Sequence, residues 1–413
     1  MPPALLLAGQ VAVILALSRL ATPIARRLGQ PPVIAEMVVG LMLGPSLLGW
    51  VAPDVFAWLF PAASLQALSV LGQVGVALFM FLVGWRLEIE TLKTVGRMAL
   101  VTGIVSVAVP FALGSAVAVV AWHPYAPDGV ALLPFALFMG SAMSITAFPV
   151  LARILADQGL TRTRIGVLAM TCAAFNDAVG WLILAAITMI VLAGNMADAG
   201  GTLVGLAVYI VVMFGVVHPV VARIARRPGE SFGRSPLSLA IIVVVIVASA
   251  YTTDALGVHA LFGAFLAGVV MPRDAEAERV FSEFVEPAAV TYLLPIFFAF
   301  SGLRTSVNLI TGPELWGQTA LILAVAIGGK GVGSALSARA MGATWADASL
   351  LGVLMNTRGL VELVVLNIGF DLGILSPVLF SMMVVMALAT TLATSPLVSR
   401  LKARAPMAAE PST

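Results

Sequence analysis

Residues 171–181 read Thr-Cys-Ala-Ala-Phe-Asn-Asp-Ala-Val-Gly-Trp and place Asp177 in the middle of an apolar run that is long enough to cross a bilayer. On translocon-based scales a carboxylate at mid-membrane is unfavourable by roughly 2.5 to 3.5 kcal/mol. An ionisable residue at this depth is therefore a functional-site hypothesis by default. We expect the rest of the chain to supply the reason for Asp177.

Composition indicates a polytopic membrane protein with an all-α fold. Of the 413 residues, 61% are hydrophobic and 10% are charged, whereas soluble globular chains carry about 25% charged residues. A soluble fold of this length needs more charge to cover its surface, so a soluble enzyme is excluded. The chain has a single cysteine, Cys172, and therefore no disulfide framework.

Apolar windows between polar breaks predict thirteen transmembrane spans in one membrane domain over residues 1–402. The residues after the last span are too few to fold, which predicts a short disordered cytoplasmic tail at 403–413. The predicted spans are 4–22, 31–48, 66–85, 98–121, 132–155, 164–192, 201–222, 236–253, 257–271, 287–301, 317–341, 348–368 and 374–398.

Lysine and arginine residues are distributed asymmetrically between the two sides of the predicted membrane domain. Of the 22 lysine and arginine residues, 19 fall at the ends of odd-numbered spans or in the segments that follow them, and the exceptions are Arg304, Lys330 and Arg358. Because basic residues accumulate in cytoplasmic loops, we expect the N-terminus outside and the C-terminus in the cytoplasm. The expected location is the plasma (inner) membrane.

Span five carries a signal for a broken helix next to the span that holds Asp177. Thr146 and Pro149 lie inside its apolar sequence, and proline removes a backbone donor and clashes with the carbonyl four residues back. Broken helices at membrane depth are tolerated where the backbone lines a cavity, and their free carbonyls can bind ions. The alternative for this segment is a simple proline kink.

Asp177 itself fits an ion site. A carboxylate in a low-dielectric cavity can exchange a proton near neutral pH, and its oxygens can also bind a hard monovalent cation. The alternative is a neutral, hydrogen-bonded structural aspartate. Asn176 is the adjacent residue, about 100° round the helix, so we expect it to tie span six to the broken backbone nearby.

Two later spans carry further charges at depth. Lys330 lies among glycines in span eleven, with the spacing of a close helix contact rather than of a phosphate loop, and needs a buried acceptor. Span twelve contains Thr357, Arg358 and Glu362, and the last two stand at i and i+4, where they can face each other on a helix. Structural roles are the alternatives for Lys330 and for the Arg358–Glu362 pair.

The positions of these features predict an inverted repeat. Spans two to six and spans nine to thirteen form five-helix blocks of opposite topology, and the breakable spans five and twelve are each the fourth of their block. This arrangement is typical of transporters with two discontinuous helices that cross at the midplane. No metal-ligand cluster, hydrolase triad or nucleic-acid patch stands out in the sequence, so we expect no enzyme activity, no cofactor, no resident metal and no nucleic-acid partner.

Several stretches together resemble a known family, the monovalent cation:proton antiporters, in the branch of the Kef-type bacterial proteins and the plant cation/H+ exchangers. They cover the membrane region, and the combination is specific although each motif is short. The stretches are Gly40–Pro45, Ala147-Phe-Pro-Val-Leu-Ala-Arg-Ile-Leu155, Asn176-Asp177 with Trp181, and Asn356-Thr-Arg-Gly-Leu-Val-Glu-Leu-Val-Val-Leu-Asn-Ile-Gly369.

The resemblance implies a thirteen-helix antiporter, usually a homodimer, in which a mobile core slides against a scaffold to expose the site to each side in turn. The implied scaffold covers about 1–97 and 236–301, the core about 98–192 and 317–398, and a linker span 201–222. Such a protein exchanges a monovalent cation, K+ or Na+, for H+.

The resemblance also implies roles for single residues. Asp177 matches the aspartate that binds the cation and the proton in turn, and Thr146 and the region around Thr357 match the helix crossing that lines the site. Asn176 stands where electrogenic members carry a first aspartate that can pair with their buried lysine. We therefore expect electroneutral one-for-one exchange, with Asn176 and Thr146 organising Asp177.

Lys330, Arg358 and Glu362 are expected to balance charge at the helix crossing. Two other function classes stay open at this point. One is a Na+-coupled symporter of organic anions, like the bile-acid transporters, which would need a wider site and would move no protons. The other is an intramembrane aspartyl protease, which needs a second mid-membrane aspartate as a partner for Asp177.

Overall fold

The computed structural model describes residues 2–86, 96–192, 196–225, 236–272, 279 and 281–404, and the regular elements within these ranges are all helical. The first eleven helices are α1 (Pro3–Arg27), α2 (Pro32–Leu43), α3 (Leu48–Val51), α4 (Pro53–Leu59), α5 (Ala62–Arg86), α6 (Arg97–Tyr125), α7 (Leu132–Ser144), α8 (Phe148–Asp157), α9 (Arg164–Leu192), α10 (Met196–Val212) and α11 (His218–Ala225). The others are α12 (Pro236–Ala255), α13 (Ala260–Val269), α14 (Leu294–Leu303), α15 (Gly312–Ala326), α16 (Gly333–Ala340), α17 (Trp345–Met355), α18 (Leu360–Asp371) and α19 (Pro377–Arg404). The predicted all-α fold is confirmed for the described part of the chain.

Four wider, π-helical segments lie within the described ranges, and three of them run without a break into an α-helix. Met213–Val217 joins α10 to α11, and Ile327–Val332 joins α15 to α16. A third segment, Pro287–Leu293, leads directly into α14. Such segments are often found at functional sites, and the segment Ile327–Val332 contains Lys330.

Helix lengths support a membrane protein. Within the described ranges, nine helical stretches are long and apolar enough to cross a bilayer, and four shorter apolar helices accompany them. Two of the shorter ones, α7 and α17, have 13 and 11 residues, or roughly 16 to 20 Å at 1.5 Å per residue. They are too short for a hydrocarbon core of about 30 Å.

The two short helices are the first halves of spans five and twelve, so the predicted interruption of both spans is confirmed. In span five the chain leaves α7 at Ser144 and resumes as α8 at Phe148, and in span twelve it leaves α17 at Met355 and resumes as α18 at Leu360. The count of thirteen crossings stays a prediction.

Residues Met1–Leu15, Leu59–Ile89 and Trp181–Phe300 form one compact unit. Within it α5 and α13 approach until their backbones touch. A Cβ added at Gly84 would overlap the carbonyl of Phe265, and one added at Gly268 would overlap that of Phe81. Small residues allow this approach between membrane helices, which lack a hydrophobic driving force in lipid.

Residues Ala16–Trp58, Glu90–Gly180 and Ser301–Thr413 form a second compact unit, and it contains both broken helices. A Cβ added at Gly114 of α6 would lie 2.9 Å from the Met139 carbonyl of α7, and one added at Gly352 of α17 would overlap the carbonyl of Gly331. Glycine therefore brings α6 close to one broken helix and the Lys330 segment close to the other. This packing supports the prediction that the glycines around Lys330 serve close helix contact.

The predicted division into scaffold, linker and core stays a prediction. Helix α19 continues to Arg404, so the predicted tail at 403–413 begins two residues inside a helix, and its remaining residues lie outside the described ranges.

The contact between α14 and α2 generates a stability prediction. A Cβ at Gly302 would overlap the backbone of Gly40 and Leu41, so Gly302→Ala is expected to lower the free energy of unfolding by about 1–3 kcal/mol, as overpacking does. The measurement is the midpoint of thermal unfolding in detergent. Gly317→Ala is the control, because no atom lies within 4 Å of a Cβ at this helical position. An unchanged midpoint for Gly302→Ala would show that the two backbones do not touch.

Candidate cation and proton site

The break in span five follows from its proline. The helix bond between residue 149 and the carbonyl of Ile145 cannot form, because proline has no backbone N–H. The chain is extended at Ile145 (φ −76°, ψ 141°) and at Ala147 (φ −82°, ψ 91°), on either side of Thr146. Pro149 then stands in the first turn of α8, where a missing N–H is tolerated.

The break in span twelve has no proline and ends at a glycine. Gly359 adopts φ 158° and ψ −124° immediately before α18. A Cβ there would come within 2.8 Å of the Val150 side chain of α8. The polar run Asn356–Gly359 therefore ends close to α8, the helix that follows the break in span five.

The two breaks are joined by direct hydrogen bonds. The backbone N–H of Ala147 donates to the carbonyl of Thr357 at 3.0 Å, and the Thr146 hydroxyl donates to the carbonyl of Met355 at 3.1 Å. Thr357 contributes through its backbone, since its own hydroxyl donates to Leu354 in α17 at 2.7 Å. The two extended segments thus cross, and each supplies hydrogen-bond partners for backbone groups of the other. Backbone polar groups that are buried in a membrane require such partners.

Two buried basic side chains donate to the C-terminal end of α7. The last four carbonyls of a helix have no partner within it, and in α7 all four accept a hydrogen bond from a side chain. Arg358 donates to two of them and Lys330 to a third, while the Ser144 hydroxyl takes the fourth. The acceptors are Ser141 (2.8 Å from the Ser144 hydroxyl), Ala142 and Met143 (3.1 and 2.8 Å from Arg358), and Ser144 (from Lys330).

Lys330 has a second acceptor, whose availability is explained by another proline. Its ammonium donates to the carbonyl of Ser106 in α6 at 3.2 Å. That carbonyl would ordinarily bind the N–H of residue 110, but residue 110 is proline and has none. Gly329 allows the approach, because a Cβ there would lie 3.0 Å from the Pro110 backbone. The predicted buried acceptors of Lys330 are thus helix carbonyls rather than a carboxylate.

Arg358 and Glu362 form the ion pair that their spacing predicts. The guanidinium lies 2.9 Å from Oε2 of Glu362, and both side chains are fully buried. Glu362 stands in the first turn of α18, where the helix dipole favours a negative charge. The backbone N–H of Arg358 donates to the hydroxyl of Thr391 in α19 at 3.0 Å, which fixes the break from a second side.

Asn176 connects α9 to the crossing. Its side-chain amide is hydrogen-bonded to the hydroxyls of Ser106 and Thr146 in either of its two orientations, with Nδ2 3.2 Å from Oγ1 of Thr146. This contact agrees with the expectation that Asn176 ties span six to the broken backbone. A third element of the site is thereby held at the Thr146 break.

Asp177 is buried and unpaired. The residue is 3% exposed, and neither carboxylate oxygen has a hydrogen-bond partner among the described residues. The positive charge of Lys330 and the backbone amide of Phe148, the first residue of α8, lie close to the carboxylate. An N-terminal helix end is a favourable environment for an anion. These neighbours of Asp177 therefore favour a negative charge, but its carboxylate oxygens are not engaged in a hydrogen bond with a described residue.

All seven predicted site residues lie in the second compact unit and are buried. The structure joins Asn176 to Thr146 and Arg358 to Glu362, and it brings Lys330 and Arg358 to one helix end. The Thr357 hydroxyl and the Asp177 carboxylate bind none of the other predicted side chains. Sequence reasoning missed Ser106, although Pro110 four residues later signals its free carbonyl.

The capping of α7 generates a second stability prediction. Arg358→Ala leaves two carbonyls and Glu362 without their partner, so the free energy of unfolding is expected to fall by about 3–5 kcal/mol. Thermal unfolding in detergent measures the loss. Arg153→Ala is the matched control, because its pair with Asp157 is also spaced i, i+4 but is about half exposed, and its loss should stay below about 1 kcal/mol. Equal effects of the two substitutions would contradict the capping role.

Comparison with known proteins agrees with this architecture. The chain is 41% identical over 398 residues to the Na(+)/H(+) antiporter NhaS4 of Synechocystis, covering 96% of this chain and 97% of that protein. It is 40% identical to cation/H(+) antiporter 19 of Arabidopsis thaliana and 35% identical to K(+)/H(+) antiporter 1 of Saccharomyces cerevisiae. These alignments cover 94% and 89% of this chain but 48% and 43% of those relatives, so the chain spans about half their length.

A solved structure shows the same fold. The sodium proton antiporter MjNhaP1 of Methanocaldococcus jannaschii superimposes with a TM-score of 0.67 over 97% of both chains, at 14% sequence identity. The transmembrane sodium/hydrogen exchanger family matches residues 12–400. The chain therefore belongs to the sodium/hydrogen exchanger family of membrane transporters.

Proposed function

We propose that this protein exchanges a monovalent cation, K+ or Na+, for H+, and that Asp177 carries both in turn. The observation that carries the proposal is the unpaired, buried carboxylate of Asp177 close to Lys330, whose amino group already binds two helix carbonyls. The relatives above are named as Na+/H+, K+/H+ or cation/H+ antiporters. Their names favour exchange over sodium-coupled symport of organic anions.

The exchange follows from the cost of an uncompensated charge. A buried carboxylate without a partner is strongly unfavourable, so Asp177 has to take up either a proton or a cation whenever it is shielded from water. Both ligands occupy the same oxygens and exclude each other. If the site changes sides of the membrane only with a ligand bound, and binds one ligand at a time, a cation bound in one direction must be replaced by a proton in the other. The two ions therefore move in opposite directions.

Asn176 and Lys330 support a one-for-one ratio. Asn176 supplies a neutral amide at the first position of the pair, so Asp177 has no acidic neighbour that could carry a second charge. Lys330 donates to the carbonyls of Ser106 and Ser144 rather than to a carboxylate. In this proposal Lys330 and Arg358 hold the end of α7 throughout the cycle, and Glu362 balances Arg358.

Alternating access would be of the elevator type. Because the breaks are hydrogen-bonded to each other and to Asn176, we propose that both broken helices and α9 move as one body with Asp177. This body would slide against the scaffold in a homodimer in the plasma (inner) membrane. The N-terminus would be outside and the C-terminus in the cytoplasm.

Asp177→Asn is expected to abolish cation-dependent proton flux in proteoliposomes. The amide keeps the shape of the side chain but can neither bind a proton near neutral pH nor neutralise a cation. A pH-sensitive dye inside the vesicles, with Li+, Na+, K+ and Rb+ pulses side by side, measures the flux. Asp157→Asn serves as the control, because Asp157 lies on α8 in an exposed pair. Undiminished exchange by folded Asp177→Asn protein would overturn the proposal.

Electroneutral exchange predicts that the rate is independent of the membrane potential. Proton flux after a cation pulse should be the same with and without thiocyanate, a permeant anion that collapses any potential the transporter builds up. Vesicles without protein correct for leak. Acceleration by thiocyanate would mean net charge movement and would contradict the one-for-one ratio while leaving exchange itself intact.

A further inference from the structure

We infer that Asn356 is a ligand of the transported cation and helps to set cation selectivity, an inference that rests on the proposed exchange at Asp177. Asn356 is the first residue of the second break, and the residue is 8% exposed. Its amide oxygen is buried and has no hydrogen-bond partner among the described residues. A buried polar oxygen without a partner calls for an explanation, and an ion that binds there during the cycle is one.

The position of Asn356 brings it to the crossing. Its two chain neighbours make the hydrogen bonds that join the breaks: Met355 accepts from Thr146, and Thr357 accepts from Ala147. Asn356 therefore lies in the chain between the two residues whose carbonyls accept the hydrogen bonds that join the breaks. Thr146 is in turn bonded to Asn176, the residue before Asp177. A chain of contacts thus leads from Asn356 to the carboxylate-bearing helix.

The other polar side chains of the breaks are already engaged. The Thr146 hydroxyl donates to Met355 and lies against the Asn176 amide, and the Thr357 hydroxyl donates to its own helix. The Arg358 guanidinium binds Ala142, Met143 and Glu362. Within the two breaks, as far as the structure describes them, Asn356 is the residue whose acceptor oxygen is entirely unused.

The chemistry of the cargo calls for such an oxygen. An alkali cation that leaves water must replace its hydration shell with several oxygen ligands, as carbonyl rings do in selective channels. A single carboxylate supplies two oxygens. A neutral amide oxygen adds a ligand without adding charge and without competing for the proton. Asn356 should therefore affect the cation and not the proton.

A second asparagine in the same unit shows what a structural amide looks like. Asn367 is 6% exposed, but its oxygen accepts from Arg304 at 3.1 Å and its nitrogen donates to Ser301 and Leu363 at 2.8 and 2.9 Å. Its hydrogen-bonding groups are in use on both ends of the amide. Asn367 is thus a control of the same residue type and similar burial.

The test compares Asn356→Ala with Asn367→Ala in proteoliposomes. Asn356→Ala is expected to raise the apparent KM for the cation about tenfold, the effect of losing roughly one good ligand contact. It should also change the ratio of KM values among Li+, Na+, K+ and Rb+. Asn356→Ser, which retains an oxygen, should lie between Asn356→Ala and the unaltered protein. Asn367→Ala should lower thermal stability and leave the KM ratios unchanged.

A second measurement keeps the inference testable if Asn356→Ala transports too weakly. In detergent, the cation-dependent rise in unfolding temperature should shrink in Asn356→Ala and persist in Asn367→Ala, because a ligand stabilises the folded protein less when it binds more weakly. Unchanged KM ratios and an unchanged thermal response in Asn356→Ala would overturn the inference. Asp177→Asn is assayed in parallel: if it loses exchange while Asn356→Ala keeps wild-type selectivity, only the role of Asn356 fails.

Discussion

Four carbonyl groups at the end of α7 lie inside the protein at membrane depth, and the rest of the site depends on how they are satisfied. Two side chains from other helices, Lys330 and Arg358, supply charged donors to three of them. Helix C-termini carry a partial negative charge, so cations are the favourable partners there. These donors replace the hydrogen bonds that a continuing helix would have supplied, and they thereby stabilise the break at Thr146.

The two broken helices solve the same problem in different ways. The carbonyls at the end of α17 are satisfied by neutral groups, since Met355 accepts from the Thr146 hydroxyl and Leu354 from the hydroxyl and N–H of Thr357. The end of α7 instead accepts from an amino group and a guanidinium group. Two basic side chains are thereby brought to one helix end, and Lys330 lies close to Asp177.

Much of this site could be predicted from local sequence rules. An aspartate in an apolar run, a proline within a span and an i, i+4 ion pair each act over a few residues, and the structure places Asp177, the Thr146 break and the Arg358–Glu362 pair accordingly. The partners of Lys330 could not be predicted, because Ser106 and Ser144 are 224 and 186 residues away in the chain. The unpartnered amide oxygen of Asn356 could not be predicted either, because it depends on the hydrogen-bond partners that the neighbouring side chains have in the folded protein.

The hydrogen bond between Lys330 and the carbonyl of Ser106 couples Lys330 to Pro110 through the backbone of α6. This coupling needs no contact between the lysine and the proline ring. Proline at position 110 removes the amide hydrogen that would close the helical turn at Ser106, and the exposed carbonyl becomes half of the lysine's binding site. With an ordinary residue at 110, the N–H of that residue would bind the Ser106 carbonyl, and Lys330 would have to share this acceptor. A substitution at position 110 would therefore act on Lys330 through this one carbonyl.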